Sequence, residues 1–204
     1  MKYRTLNPYT EQTIKEFANH TDQEVETALA KADALYHSNW SKGDITPRLA
    51  VLDKLSVLLA ENRESLARMM ALEMGKPVSQ GLFEVDLSAS IARYYATNSA
   101  DLLKAQPITN DVGEGWIEFH PIGVLLAVEP WNFPIYQLIR VIAPAIAVGN
   151  PVLFKHAGIV PQCAGLFESI VQQAGAPDGA VTNLYVSNSK IAELIATSAY
   201  RALR

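Results

Sequence analysis

The stretch that decides the fold reads PIGVLLAVEPWNFP over residues 121–134 and GNPVLFK over residues 149–155. Each part contains a short apolar run, at residues 122–128 and 152–154, which is typical of a strand covered on both faces of a parallel sheet. The apolar residues 136–148 between them predict a helix. A strand, a helix and a second strand in this order predict an α/β fold with a parallel sheet.

Polar and aromatic side chains follow the first predicted strand. Prolines flank Trp131, Asn132 and Phe133 and break regular structure on both sides of these three residues. The second predicted strand ends on Lys155. Because ligands bind at the carboxyl ends of the strands in open α/β sheets, we expect a binding crevice between the two strand ends.

The motif Glu-Pro-Trp-Asn-Phe-Pro at residues 129–134, with Lys155 following 23 positions after Asn132, resembles the NAD(P)-dependent aldehyde dehydrogenase superfamily. Residues 7–8 (Asn-Pro) and 73–77 (Glu-Met-Gly-Lys-Pro) extend this similarity over the whole chain. Within the superfamily the sequence most resembles succinate-semialdehyde dehydrogenases. The resemblance implies a Rossmann-like parallel sheet flanked by helices, a protruding β-hairpin, and NADP or NAD as cofactor.

The resemblance also implies a division of the chain. Residues 1–105 and 122–204 are expected to form part of a dinucleotide-binding domain, and residues 106–121 a hairpin through which the chain forms a homo-oligomer. The family's catalytic domain is expected to be absent, because no downstream Gly-Ser turn or Glu-Leu-Gly-Gly segment with its cysteine occurs. The chain is therefore similar to the amino-terminal half or less of a full-length family member, and we expect it to be inactive alone.

Three residues are implied to act on the aldehyde. Asn132 matches the family residue whose amide stabilises the oxyanion formed when the cysteine attacks, and Phe133 matches a wall of the substrate pocket. Arg140 lies eight residues, or two helical turns, after Asn132 and resembles the arginine that binds the remote carboxylate of succinate semialdehyde. The residues alone leave alternatives open: Asn132 caps the turn between two prolines, or Arg140 forms a structural salt bridge with an acid of this chain.

Four further residues are implied to contact the cofactor, and no metal is predicted. Pro130 and Trp131 match cofactor-side contacts, although either would also suit an ordinary core. Lys155 matches the lysine that binds the adenosine ribose, the alternative being a solvated strand end. Gly158 stands where relatives restricted to NAD often carry glutamate. The missing carboxylate removes repulsion against a 2′-phosphate.

The composition predicts a soluble globular chain. A net charge of −4 over 204 residues argues against a nucleic-acid or anionic-membrane surface. No early apolar run resembles a signal peptide, and no run is long enough to span a membrane. The only cysteine, Cys163, fits a reducing compartment, so we expect a cytoplasmic protein. Its helical apolar surroundings predict a packing role rather than a nucleophile or redox sensor.

The rest of the chain is expected to be mainly helical. Helices are predicted at about residues 21–38, 47–74, 79–103, 160–174 and 191–197, with a strand at 181–186 and a hairpin at 107–119. Glu84, Asp86 and Arg93 are expected on a solvated helix face. Ser187 and Ser189 stand where many relatives carry the glycines of Gly-x-Gly, and their smaller backbone freedom predicts an altered cofactor contact.

Two functions fit these observations. The first is an aldehyde dehydrogenase of semialdehyde type, which oxidises the aldehyde to the carboxylic acid with NAD(P)+ through a cysteine thiohemiacetal when full length. The second is a non-catalytic nucleotide-binding or interaction module that keeps the fold without the chemistry.

Overall fold

The computed structural model describes residues 3–196, which form seven strands and eight helices. In chain order the elements are β1 (Tyr3–Leu6), β2 (Thr13–Phe17), α1 (Asp22–Tyr36), α2 (Asn39–Lys42), α3 (Thr46–Glu61), α4 (Arg63–Met74), α5 (Val78–Leu102), β3 (Gln106–Asn110), β4 (Gly113–Ile117), β5 (Leu125–Val128), α6 (Pro134–Val148), β6 (Val152–Lys155), α7 (Pro161–Gln173), β7 (Val181–Asn183) and α8 (Asn188–Ala196).

The centre of the fold is a parallel sheet with the strand order β5-β6-β7. Val128 pairs with Lys155 at the ends of β5 and β6, and Phe154 pairs with Asn183 at the end of β7. Helices α6 and α7 connect consecutive strands, so all three carboxyl ends lie at one edge. This confirms the predicted parallel α/β arrangement and brings residues 129–133 and Lys155 to the same edge.

Two apolar clusters cover the two faces of the sheet. On one face, Ala127 and Phe154 pack with α6 and α7, and α3, α4 and α5 extend this cluster. On the other face, Leu126 and Leu153 pack with α1 and α8. Successive side chains of a strand point to opposite faces. Because both faces are covered, β5 and β6 appear in the sequence as continuous apolar runs.

The helix predicted over residues 47–74 is divided into α3 and α4, which meet at Asn62. The Asn62 side-chain amide donates to the carbonyl of Leu58 at 2.9 Å. Such a bond competes with the backbone pattern of a continuing helix. Gly75 ends α4 in the left-handed conformation, with φ of 74°, which glycine adopts more readily than other residues.

Two strands are shorter than predicted. The chain enters β5 only at Leu125, because the N–H groups of Ile122 and Gly123 donate to the Asn150 side chain, at 2.8 and 3.1 Å, and not to a neighbouring strand. Strand β7 ends at Asn183. The last helix is described as far as Ala196, and its predicted end at residue 197 lies outside the described residues.

The β3–β4 hairpin forms at the predicted place, with Gln106 opposite Ile117 and Asn110 opposite Gly113. Its described side chains are exposed on both faces, including those of Ile108 and Trp116. None of the described helices is long and apolar enough to cross a membrane.

Candidate active site

The loop between β5 and α6 forms the exposed part of the site. Trp131 and Phe133 are 50% and 42% exposed, and Asn132 is exposed between them. The loop is anchored to β6 by the N–H of Glu129, which donates to the carbonyl of Lys155 at 3.0 Å. The structure therefore brings the predicted residues of the loop and of the second strand end together at one edge of the sheet.

The Asn132 side chain does not cap α6. Phe133 is the residue that precedes the helix, and no side chain of the helix start bonds to its first N–H groups. No hydrogen bond to the Asn132 amide is present within residues 3–196. The capping alternative for Asn132 therefore fails, and its two N–H donors are available to a ligand.

The start of α6 is held by Glu84, which was predicted to lie on a solvated face. That prediction was wrong: Glu84 is 1% exposed and forms a salt bridge with Lys76, which is 6% exposed. Glu84 Oε1 accepts the N–H groups of Ile135 and Tyr136 at 2.8 and 3.1 Å. These groups have no intrahelical partner at a helix start, so a glutamate remote in sequence caps α6.

The other two charged residues of that face behave as predicted. Asp86 and Arg93 are exposed, and each forms a surface ion pair. Glu84 differs because it lies where α5 crosses the beginning of α6. The only sequence signal for its role was its proximity to the Glu-Met-Gly-Lys-Pro motif at residues 73–77, which supplies Lys76.

Lys76 also contacts the loop directly. Its ammonium nitrogen lies 4.0 Å from the centre of the Phe133 ring, which is a favourable cation–π distance. The Lys76–Glu84 pair therefore touches the residue that follows Asn132 and the first turn of the helix that follows the loop.

His156 ties the loop to the second strand end from the other side. Its Nδ1 accepts the N–H of Ala157 at 2.9 Å, so its Nε2 carries the proton and donates to the carbonyl of Pro134 at 2.9 Å. Burial lowers the pKa of His156 to about 4. The ring is therefore neutral at pH 7. No pattern in the sequence predicted this role for His156.

Lys155 is buried rather than solvated. Its ammonium group donates to the carbonyl of His156 at 3.2 Å and lies 5.6 Å from the centre of the Tyr3 ring. Burial lowers the pKa of Lys155. Within residues 3–196 no carboxylate forms an ion pair with it, so this cation is available to a ligand with oxygen acceptors.

Gly158 lies in the turn between β6 and α7 and is buried. Its carbonyl accepts the N–H of Arg4 at 3.4 Å, which places β1 beside this turn. Ser187 precedes α8, and its hydroxyl accepts the N–H of Lys190 at 3.1 Å. Serine hydroxyls thus fill a helix start that glycine would leave open.

Arg140 is exposed, and the alternative of a structural salt bridge is not seen within residues 3–196. Its guanidinium donates to Gln137 Oε1 at 3.3 Å and lies 5.9 Å from the centre of the Tyr136 ring. Within the described residues no carboxylate lies in salt-bridge range of it. Burial raises the pKa of the Glu129 carboxyl, and the positive charge of Arg140 partly opposes this rise.

Arg140 lines a cavity of 490 Å³ with residues of α5. The other lining residues are Ser90, Ile91, Tyr94 and Tyr95. Phe133 and Tyr136, whose rings are 6.1 Å apart, come between Asn132 and Arg140 along the chain. From Asn132 to Arg140 the chain therefore carries an amide, two aromatic rings and a cation in this order.

Cys163 cannot serve as a nucleophile in this structure. It is fully buried, and burial together with the neighbouring charge of Glu73 raises the pKa of its thiol well above the ordinary value. Its N–H donates to Glu73 Oε2 at 2.8 Å. The predicted packing role is confirmed, and the redox-sensor interpretation fails because the thiol is neither accessible nor acidic.

A parallel sheet with polar and cationic groups at the carboxyl ends of its strands is the architecture of nucleotide-binding α/β proteins. The chain belongs to the aldehyde dehydrogenase family, whose sequence profile it matches over residues 1–201.

Curated relatives and solved structures agree with this family. The chain is 37% identical to a succinate-semialdehyde dehydrogenase [NADP(+)] of Deinococcus radiodurans, over 98% of this chain and 42% of that protein. A probable succinate-semialdehyde dehydrogenase [NADP(+)] of Synechocystis is 38% identical over 99% of this chain and 44% of that protein. The crystal structure of succinic semialdehyde dehydrogenase from Streptococcus pyogenes with NADP+ matches with a TM-score of 0.93 and 41% identity. That match covers 96% of this chain and 43% of the solved chain. The chain thus spans less than half the length of these relatives.

Proposed function

We propose that this chain is the cofactor-side portion of an enzyme that oxidises succinate semialdehyde to the dicarboxylic acid with NADP+ or NAD+. The observation that carries the substrate assignment is Arg140, an exposed cation with no carboxylate in salt-bridge range within the described residues. A guanidinium binds a carboxylate through two parallel hydrogen bonds. An aldehyde with a remote carboxylate satisfies this group, and a neutral aldehyde does not.

Asn132 takes the role of oxyanion donor in this proposal. Attack of a thiolate on the aldehyde carbon turns the carbonyl oxygen into an oxyanion, and a fixed amide N–H aimed at that oxygen stabilises it. The free side-chain donors of Asn132 support this role. Phe133 then forms the apolar wall between the reacting carbon and the charged end of the substrate at Arg140.

The cofactor lies at the carboxyl edge of the sheet, against Pro130 and Trp131. The ammonium group of Lys155 binds a hydroxyl of the adenosine ribose. Gly158 places no carboxylate beside that ribose, so a 2′-phosphate meets no like charge there. NADP is therefore accepted as well as NAD, in keeping with the relatives named for NADP(+).

The nucleophile and general base come from outside residues 1–204 in this proposal, since the only cysteine here is buried. The 204-residue chain alone should accordingly not turn over an aldehyde. The exposed β3–β4 hairpin pairs with another copy in a homo-oligomer, since no other strand within residues 3–196 pairs with its outer edges. We also propose that the protein is located in the cytoplasm.

The proposal is tested with Arg140→Ala in a full-length enzyme that carries this segment. For succinate semialdehyde, kcat/KM should fall about ten- to a hundredfold, because a charge-assisted pair is lost. Butanal has the same chain length without the carboxylate and should lose much less.

Arg68→Ala is a suitable control because Arg68 is an exposed arginine of α4 whose ion pair is with Glu64. It should leave both substrates unaffected. Equal losses for succinate semialdehyde and butanal in Arg140→Ala, together with a lower melting temperature, would remove the substrate assignment and leave the family assignment intact.

A further inference from the structure

The loop that carries Asn132 has little internal support. Its residues are exposed, and prolines at both ends, Pro130 and Pro134, have no N–H to donate. The first N–H groups after Asn132 that find a polar partner outside α6 are those of Ile135 and Tyr136, both on Glu84 Oε1. The direction in which the chain leaves the loop is therefore fixed by one buried carboxylate, together with the His156 bond to the Pro134 carbonyl.

The Glu84 carboxylate also holds the Lys76 ammonium group against the loop. Glu84 Oε2 pairs with Lys76, and the Lys76 ammonium lies 4.0 Å from the centre of the Phe133 ring. Both charged groups are almost fully buried, at 5% and 0% side-chain exposure for Lys76 and Glu84. A buried pair with hydrogen bonds on both partners has few alternative geometries.

We propose that Lys76 and Glu84 are positioning residues for catalysis: together they fix the direction of the Asn132 side-chain amide. This inference rests on the proposed role of Asn132 as oxyanion donor. Neither Lys76 nor Glu84 touches the reacting atoms. They act through Phe133 on one side and through the first turn of α6 on the other.

The expected kinetic signature follows from when the oxyanion exists. The negative oxygen is present in the transition state and not in the bound aldehyde, so a displaced donor lowers kcat and leaves KM nearly unchanged. A displacement of a catalytic group by about 1 Å lowers the rate by up to about a hundredfold. A purely structural role would lower the stability without changing the kcat of the folded fraction.

The test is a double-mutant cycle in a full-length enzyme that carries residues 1–204. The single variants are Lys76→Met, Glu84→Gln and Asn132→Ala, and the first two are also combined with the third. Lys76→Met and Glu84→Gln should each lower kcat roughly ten- to a hundredfold, with KM for the aldehyde changed less than about threefold. In the Asn132→Ala background the same changes should lower kcat less than about twofold, because the group they position is gone.

Glu73→Gln is the matched control. Glu73 is a second buried glutamate of this helical region, and it accepts the N–H groups of Gln162 and Cys163 at the start of α7. It makes no contact with the Asn132 loop within the described residues. It should change stability as a buried glutamate does, and leave kcat unchanged.

Amide hydrogen exchange on the 204-residue chain gives a second measurement. Glu84→Ala should accelerate exchange in residues 135–136 and the preceding loop, whereas Glu73→Ala should accelerate exchange in residues 162–163, because alanine removes the acceptor at each helix start. Kinetic effects that add fully to Asn132→Ala, or equal kcat losses for Glu84→Gln and Glu73→Gln, would overturn the positioning role. An unmodified parent without aldehyde turnover would overturn the proposed function instead, while unchanged exchange at residues 135–136 would overturn the positioning role by itself.

Discussion

The first turns of α6 and α7 are capped in the same way but lie in different surroundings. Each helix follows a strand of the parallel sheet, and each has proline among its first residues and no capping side chain from its own N-cap. In each, two N–H groups of the first turn donate to one buried glutamate. Glu84 serves α6, and Glu73 serves α7.

The surroundings of the two glutamates differ. Glu84 has a cation, Lys76, whereas Glu73 receives a neutral hydrogen bond of 2.6 Å from the Thr5 hydroxyl. Burial raises the pKa of Glu73, and its hydrogen bonds only partly oppose this. The segment before α6 is exposed, whereas Val160, which precedes α7, is buried.

The comparison shows that one capping device has two uses. At α7 the glutamate caps a helix start inside the protein, since Cys163 and Glu73 are both buried. At α6 it supports a loop whose side chains face outward. At α6 an ion pair with Lys76 accompanies the glutamate, next to the exposed side chains of the loop.

The largest effect is expected from breaking the pair at α6. Glu84→Ala should lower the free energy of unfolding by about 3–5 kcal/mol, because it leaves the Lys76 ammonium buried without a partner. It also leaves two N–H groups of α6 without an acceptor. Chemical denaturation followed by circular dichroism measures this.

The double variant Lys76→Met with Glu84→Gln separates the two causes. It removes both charges and keeps an acceptor oxygen for α6, so most of the lost stability should return. A double variant as unstable as Glu84→Ala would show that the ion pair is not the source of the effect.

The second effect concerns pH and the His156 bond to the start of α6. The pKa of His156 is about 4 in the folded state against 6.5 as its ordinary value, so the unfolded state binds the proton more readily. Stability that is present above pH 6.5 is therefore lost as the pH falls towards 4. The loss amounts to roughly 3 kcal/mol.

His156→Gln keeps an N–H donor near the Pro134 carbonyl but does not titrate. The difference in unfolding free energy between the wild type and this variant should shrink as the pH is lowered from 7 to 4. A difference that stays constant across this range would show that His156 is not held neutral by the fold.

The smallest effect is expected at α7. Glu73→Gln keeps one acceptor oxygen and removes a charge that burial disfavours, so the change at pH 7 should be within about 1 kcal/mol. Because its folded pKa is raised, Glu73 contributes most stability below its ordinary pKa of 4.5 and loses it as the pH rises. The variant should therefore gain relative to the wild type as the pH is raised from 4 to 7, and the opposite slope would contradict the raised pKa.

Much of the fold could be predicted because its signals are local. The apolar runs that became β5 and β6, the Thr21 capping box and the Gly75 stop all act over a few residues. Boundaries were missed where a side chain from elsewhere satisfies the backbone, as Asn150 does for Ile122. The meeting of the Asn132 loop and Lys155 at one edge of the sheet could be predicted from a contiguous motif and a strand end.

The sequence by itself determined the family, the parallel sheet and the residues that meet at its carboxyl edge. A strand–helix–strand unit with this apolar pattern brings the ends of successive strands to the same edge of the sheet. Only the tertiary structure decided which polar residues are buried. Glu84 lies on the buried side of α5 with Val85 and Ser88, whereas Asp86, two residues further on, is exposed. The burial of Glu84 follows from where α5 crosses the start of α6, a contact between residues 51 positions apart. A glutamate becomes a cap only when unpaired N–H groups of another helix are brought against it.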